Sequence, residues 1–387
     1  MEMKEFKRTK DMISLLGVGC MRLPRVNPDK PDIDYDKAQE IIDYAYAQGA
    51  NYFDTAHGYH GGLSEEFVGH ALAKYPRESY FLATKMPGWS VHSEDDVHRI
   101  FDLQRKRLRT EYFDFYLMHA VNEDNQIDSY EKHNVWSILK KKQEEGLIKN
   151  LGFSFHDSAK VLADVCDLYR PDFVQIQLNY ADWELQDAKS QYEVLESRGI
   201  PVIVMEPIRG GGLADLGPKA NEYLKSVDPD RSVASWALRF AASLPAVQVV
   251  LSGMSTFDQV VDNVATMTPF VPLVEADKPV IAKARDLFME HVAIPCTACQ
   301  YCTEQCPAGI EIPKLFKAYN EYAVSKGVIQ SIMGFMYEWN VINESSRADK
   351  CIGCKACVAR CPQFIDIPAQ LDMIAKVADE LSADAED

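Results

Sequence analysis

Two groups of residues in this chain of 387 have types and spacings that suit chemistry. The first is a set of eight cysteines in two runs: Cys296, Cys299, Cys302 and Cys306, then Cys351, Cys354, Cys357 and Cys361. Each run reads C-x-x-C-x-x-C-x-x-x-C-P, the spacing with which thiolates wrap a cubane iron–sulfur cluster. One run alone would also suit zinc, but the whole of 296–313 recurs as 351–368, and the repetition favours iron. The second group is Asp54, Tyr59, Lys85 and His119. A phenol titrates near ~10 and is a poor proton donor at neutral pH unless a nearby cation steadies the phenolate. Lys85 has the charge for that task, Asp54 can hold and orient the ammonium, and His119 can hydrogen-bond the oxygen that takes the proton.

Those four residues need elements that bring them together, and the surrounding sequence supplies them. Residues 51–59 read as a buried strand that ends at Asp54, with Tyr59 following in the loop. Strand-like stretches 80–85 and 112–119 end in Lys85 and His119. The carboxyl ends of parallel strands are where barrel enzymes place their chemistry. Further strands are expected at 13–19, 150–155, 173–179, 201–206 and 247–252. Helices are expected at 36–48, 64–74, 93–108, 129–145, 157–168, 187–198, 231–242 and 256–267, the second opening on Ser64 as N-cap. Eight strand-then-helix units predict a closed (β/α)8 TIM barrel. An open doubly wound sheet would want a Gly-rich phosphate-binding turn after its first strand, and the sequence from Gly17 to Met21 lacks that spacing.

After residue 267 the texture changes: prolines at 269, 272 and 279 form a linker, and helices are expected at 280–291, 314–326, 329–339 and 370–381. The chain is therefore divided into a barrel, 1–276, and a small, mainly helical domain, 277–387, whose acidic tail 382–387 is expected to be disordered. The net charge of −17 argues against nucleic acid and anionic membrane surfaces, which need basic patches. No apolar stretch approaches the roughly 18 residues of a membrane span, and the charged N-terminus does not read as a signal peptide. Cysteines clustered in a chain without such a signal point to metal rather than disulfides, and to a cytoplasmic protein. Cys20 and Cys166, outside the runs, read as small buried hydrophobes.

In residue type, order and spacing, Asp54, Tyr59, Lys85 and His119 resemble the catalytic tetrad of the aldo-keto reductases, and 146–154 resembles that family's fifth strand. The resemblance spans roughly residues 10–270 and implies reduction of a small-molecule aldehyde or ketone by NADPH or NADH, or oxidation of the alcohol. Tyr59 would be the acid, supported by Lys85 and Asp54, with His119 on the carbonyl oxygen. Ser154 and Gln175 match positions that hold the nicotinamide carboxamide. The segment 252–263, with Gly253, Ser255, Gln259 and Asn263, resembles the loop and helix that grip the adenosine phosphate end. Three positions depart from the family pattern. Phe155 replaces the usual Asn, the sequence Met205-Glu206-Pro207 lacks the usual stacking aromatic, and Gly253 and Gln259 stand where basic residues are common. Weak discrimination between NADPH and NADH follows, unless Arg209 or Arg239 supplies the charge. His57 and His60 flank Tyr59 and either join a proton relay or are solvated loop residues. Trp89 and Trp183 either wall the substrate pocket or cap the barrel mouth.

The cysteine repeat resembles the two-cluster bacterial ferredoxins, which implies two [4Fe-4S] clusters with crossed fourth ligands. One cluster would take Cys296, Cys299, Cys302 and Cys361, the other Cys351, Cys354, Cys357 and Cys306. The clusters would serve electron transfer, to a partner protein, or structure. The rival class is an iron–sulfur electron-transfer or docking protein whose barrel binds a partner, flavin or ligand without reducing a carbonyl.

Overall fold

In the computed structural model, which describes residues 1–27, 30–122, 127–290, 292–324 and 328–383, eight parallel strands close into a barrel. Two short strands precede it, β1 (Met3–Glu5) and β2 (Met12–Ser14), paired antiparallel. The barrel strands are β3 (Leu16–Gly19), β4 (Tyr52–Asp54), β5 (Phe81–Met86), β6 (Phe113–Val121), β7 (Ile148–Phe155), β8 (Phe173–Gln177), β9 (Val202–Met205) and β10 (Val247–Gly253). Each pairs with its sequence neighbour, and β10 closes on β3 with Gly253 opposite Gly19. Nearly every strand residue is buried, as expected where side chains alternate between the barrel interior and the helices outside.

The interior is filled by rings. Phe115 of β6 makes edge contacts with Phe6, Tyr52 and Phe173 at centroid distances of 5.0–5.1 Å. Filling the inside with aromatics leaves little room elsewhere. A Cβ on Gly17 would meet Leu251 and Val249 side-chain carbons at 2.7 Å, so β3 needs a residue without a side chain there.

The expected first strand, 13–19, is two strands. Ser14 breaks the ladder: its N–H donates to Asn51 Oδ1 at 2.8 Å and its hydroxyl to the carbonyl of Leu16 at 2.7 Å. Its first half turns back to pair with β1, and the hairpin inserts Phe6 and Ile13 into the barrel interior. Helix termini follow capping chemistry: Ser93, Ser158 and Thr256 each accept from an N–H three residues on. Ser64 is not such a cap. It is the first residue of the helix Ser64–Leu72, and its hydroxyl is buried against Thr55 Oγ1 at 2.8 Å and the carbonyl of Cys20 at 3.1 Å. The expected helix 129–145 is two, Ile127–Lys132 and Val135–Glu144, separated at Asn134, whose φ of 50° is left-handed. The helix Pro218–Val227 was not expected, and Pro218 suits it by occupying its first turn.

The chain forms two compact units: Met1–Ile208 with Ala234–Lys278, and Arg209–Val233 with Pro279–Asp387. The second includes the helices Lys278–Met289, Ile312–Val324, Ile329–Val341 and Ile367–Ala383. Its core holds Leu315, Phe316, Phe335, Trp339, Leu371 and Ile374. Arg209–Val233 joins that unit through Arg209, which donates to the carbonyl of Pro295 at 3.0 Å, and Tyr223, whose ring lies 4.6 Å from Lys283 Nζ. Positions 291, 325 and 326, included in the expected helices, and 384–387 of the acidic tail lie outside the described residues. Among the described residues no helix is long and apolar enough to cross a membrane.

Candidate active site and cluster sites

Asp54, Lys85 and His119 lie at or near the carboxyl ends of three adjacent strands, β4, β5 and β6, and Tyr59 opens the short 3-10 turn Tyr59–Gly62 after β4. The four side chains meet. Lys85 is fully buried; its Nζ donates to Asp54 Oδ1 at 2.6 Å and to the carbonyl of Thr55 at 2.8 Å. The same ammonium lies 4.9 Å from the centroid of the Tyr59 ring, and that ring meets His119 edge-on at 5.9 Å. Burial lowers the pKa of Lys85, with Asp54 opposing, and raises that of Asp54, with Lys85 opposing. Each charge is thus kept in place by the other, because neither is solvated.

A polar shell behind Lys85 was not read from the sequence. Glu65, fully buried, accepts from Thr84 Oγ1 and Gln104 Nε2, both at 2.7 Å, and pairs with Arg107 at 3.1 Å. Gln104 also donates to the carbonyl of Lys85 at 2.9 Å. Tyr130 fixes the two neighbouring strand ends, its hydroxyl bonded to the carbonyls of Met86 and His119 at 2.9 and 2.7 Å. Apart from Thr84 on β5, these residues come from helices whose sequences signal only amphipathicity; nothing local marks their inward polar groups as parts of a site.

His57 and His60 separate in role. His57 Nδ1 sits 3.4 Å from Arg107 and 3.8 Å from Glu65, in the shell behind the lysine. His60 is buried in a left-handed backbone conformation, and burial with nearby Arg25 lowers its pKa to about 4. Trp89 leans over His119 at 5.0 Å, whereas Trp183 packs on Phe240 and Tyr192 at 5.4 and 5.8 Å.

Ser154 and Gln175 are register partners on β7 and β8. The Ser154 hydroxyl accepts from the N–H of Ala120, next to His119, while buried Gln175 Oε1 has no partner among the described residues. A buried acceptor of that kind fits an amide N–H of a bound nicotinamide. The Gly253–Asn263 segment is built largely by its own side chains. Gln259 Oε1 accepts from the N–H groups of Ser255 and Thr256, Ser255 Oγ donates to the carbonyl of Arg22, and Asn263 donates to Ser252 Oγ. The two arginines named as substitutes are committed elsewhere: Arg239 to the carbonyl of Val271 at 2.8 Å, Arg209 to Pro295. The basic side chain beside the loop is Arg22. Its carbons lie 3.0–3.3 Å from where a Cβ on Gly253 would stand, and its guanidinium is 3.4 Å from Glu206, the residue that follows β9. Its position before the first helix gives no sequence signal of this proximity.

In the second unit the cysteines gather by fours across the repeat. Cys306, Cys351, Cys354 and Cys357 line one pocket. Cys296, Cys299, Cys302 and Cys361 line another. Each set of four thiols lines one pocket, an arrangement that fits a four-thiolate iron–sulfur cluster. Burial and neighbouring sulfurs push the thiols of Cys302 and Cys357 up to about 12 and about 11, so iron must supply the positive charge that makes thiolates favourable.

Residues 15–284 match the Aldo/keto reductase family and residues 295–365 match the 4Fe-4S dicluster domain. L-galactose dehydrogenase of Arabidopsis thaliana is 27% identical over 287 residues, 69% of this chain and 88% of that protein. D-arabinose 1-dehydrogenase of Saccharomyces cerevisiae is 32% identical over 189 residues, 46% of this chain and 54% of that protein. Among solved structures, the holo form of an aldo-keto reductase from Bacillus halodurans superposes with a TM-score of 0.60 at 26% identity, covering 73% of this chain and 96% of that one. The fold is also that of an aldo-keto reductase from Klebsiella pneumoniae in complex with NADPH, with a TM-score of 0.59 at 19% identity, over 73% of this chain and 95% of that one.

Proposed function

The chain belongs to the aldo/keto reductase family and carries a 4Fe-4S dicluster domain, and from that premise we propose that it reduces a carbonyl with NADPH or NADH, or oxidises the alcohol in reverse. The observation that carries the reading is the buried Lys85 ammonium, held by Asp54 at 2.6 Å and set 4.9 Å from the Tyr59 ring. When bound, the nicotinamide supplies the hydride. Tyr59 then donates its proton to the oxygen on which negative charge develops, and the phenolate left behind is steadied by Lys85. His119 orients the carbonyl oxygen, and Trp89 beside it walls the pocket and limits water. Gln175 Oε1 and Ser154 receive the carboxamide, and Arg22 stands beside the loop assigned to the adenosine phosphate end.

The eight cysteines hold two [4Fe-4S] clusters, with Cys306 and Cys361 exchanged between the runs. The grouping of thiols around two separate cavities supports that assignment. When bound, the clusters supply one-electron storage, a different currency from hydride.

The test is spectroscopic. Anaerobically prepared protein is mixed with NADPH or NADH, and absorbance is followed at 340 nm and across the cluster bands before and after adding short aldehydes. L-galactose and D-arabinose, the sugars in the names of two relatives, are tested with the oxidised cofactors. Substrate-dependent change at 340 nm supports the reading. Cofactor that binds without turning over any carbonyl or sugar tested favours the docking or electron-transfer alternative.

A further inference from the structure

The two cysteine runs share a backbone and differ in what they show to solvent. Ala298 and Gln300 of the first have φ of 51° and 68°; Gly353 and Lys355 of the second have 66° and 61°. The same left-handed positions in the same motif allow comparison residue by residue. Thr297 of the first run is 3% exposed, whereas Ile352, its counterpart, is 70% exposed. Cys299 is half-buried, and Cys354 is exposed. Residues 352–356 are all exposed, and Ile352, Cys354 and Lys355 all line the cavity of that cluster site.

Charge differs in the same direction. Residues 344–361 contain four basic and two acidic residues, whereas the matching span 289–306 contains two acidic and no basic ones. Arg347 is tied to the carbonyl of Trp339 at 2.8 Å and Lys350 to Asp349 at 2.6 Å. Lys355 makes no ion pair among the described residues. The second cluster site therefore presents an exposed isoleucine and an uncompensated lysine beside an exposed ligand cysteine, on a chain whose net charge is −17. At physiological ionic strength screening acts over about 8 Å, so a docking partner responds chiefly to the charges at the contact face, here Lys355.

Resting on the cluster assignment above, we propose that the face made by Ile352, Cys354 and Lys355 docks an acidic one-electron carrier protein, and that the cluster held by Cys306, Cys351, Cys354 and Cys357 exchanges electrons with it. In the exchange one electron leaves the reduced carrier and enters one cluster, or the reverse; no proton or atom moves. Ile352 supplies the apolar centre, Lys355 the attraction that orients the partner.

The experiment uses the full-length protein with its iron counted beforehand, titrated calorimetrically with a small acidic [2Fe-2S] ferredoxin, both oxidised. Binding is expected at ~50 mM salt and should weaken as salt is raised. Lys355→Glu should weaken it about three- to tenfold and Ile352→Ser about tenfold, with iron content and cluster absorbance unchanged. Lys132→Glu, the same charge change on the barrel, should leave the affinity as it is. Absence of binding, or equal affinity in Lys355→Glu and wild type, overturns the proposal. So does selective binding of a basic cytochrome c that strengthens in Lys355→Glu, or self-association in sedimentation that Lys355→Glu abolishes, which would make a second copy the occupant. Iron-free protein would overturn the cluster assignment and this proposal with it, whereas iron-loaded protein that ignores the probe overturns the docking face alone.

Discussion

Replacing Lys85 with Met removes the ammonium while nearly preserving side-chain length, and the structure says what that leaves behind. Asp54 is 3% exposed, its Oδ1 loses a 2.6 Å partner, and its Oδ2 has none among the described residues. The carbonyl of Thr55 loses its 2.8 Å donor as well. Removing one member of a buried ion pair typically costs about 3–5 kcal/mol, because the remaining charge is uncompensated. The Asp54→Asn/Lys85→Met double variant carries no such charge and should recover about half of that loss, a coupling of ~2 kcal/mol in the double-mutant cycle. The loss should also depend on pH. The pKa of Asp54 is already raised by burial and loses the lysine that opposes the shift. In Lys85→Met the folded state then binds a proton that the unfolded chain has released, so its stability falls as pH rises above the ordinary carboxylate range. Urea unfolding at pH 5 and pH 8, followed by far-UV circular dichroism, measures both effects. A cost below about 1 kcal/mol, or the same cost at the two pH values, would refute the claim that the pair is buried and mutually dependent.

Other expectations follow from the same geometry. Tyr59→Phe should lower kcat by about 10²–10⁴ and leave cofactor affinity nearly unchanged, read by steady-state kinetics and fluorescence titration, since only the proton donor is removed. Cys306→Ser should spoil the cluster that includes Cys351, Cys354 and Cys357 and spare the other; electron paramagnetic resonance of the reduced variant should lose one of the two signals. His60, with its pKa near 4 against about 6.5 unfolded, must be protonated when the chain unfolds in mild acid, so stability should drop by up to about 3 kcal/mol as pH falls from 6.5 to 4. In His60→Gln that part of the decline should vanish from thermal melts. Arg22→Ala should weaken NADPH more than NADH, by about 10–150-fold if its guanidinium grips the 2′-phosphate, and equally if it does not.

The barrel was legible because its strands are short apolar runs at even spacing, and because Asp54, Lys85 and His119 each fall at a strand's carboxyl end. What decided the misreadings was tertiary and polar. Ser14 bonds Asn51, 37 residues away, and so divides one apolar run into two strands; no local pattern announces that partner. Ser64 looks like a cap but is drawn inward by Thr55 and Cys20. Glu65 beside it, legible only as a helix-start acid, is the buried carboxylate behind Lys85. Arg22 comes close to Gly253 only because β3 and β10 are neighbours in the closed barrel, a contact between chain segments more than 200 residues apart. The cysteine motif was legible as chemistry from spacing alone. Its grouping across two runs came from resemblance, and the exposure difference between Ile352 and Thr297 depends on packing that spacing does not encode.

The most direct measurement of the central claim is isotopic. NADPH deuterated at C4 of the nicotinamide, on either face in separate reactions, is incubated anaerobically with the protein and an aldehyde that it turns over, and the alcohol is examined by NMR. Direct hydride transfer supported by Tyr59 predicts deuterium at the carbinol carbon from one face only, with Tyr59→Phe forming the same labelled product at least about a hundredfold more slowly. Oxidation of NADPH that reduces the clusters but leaves the product carbon unlabelled would contradict the account.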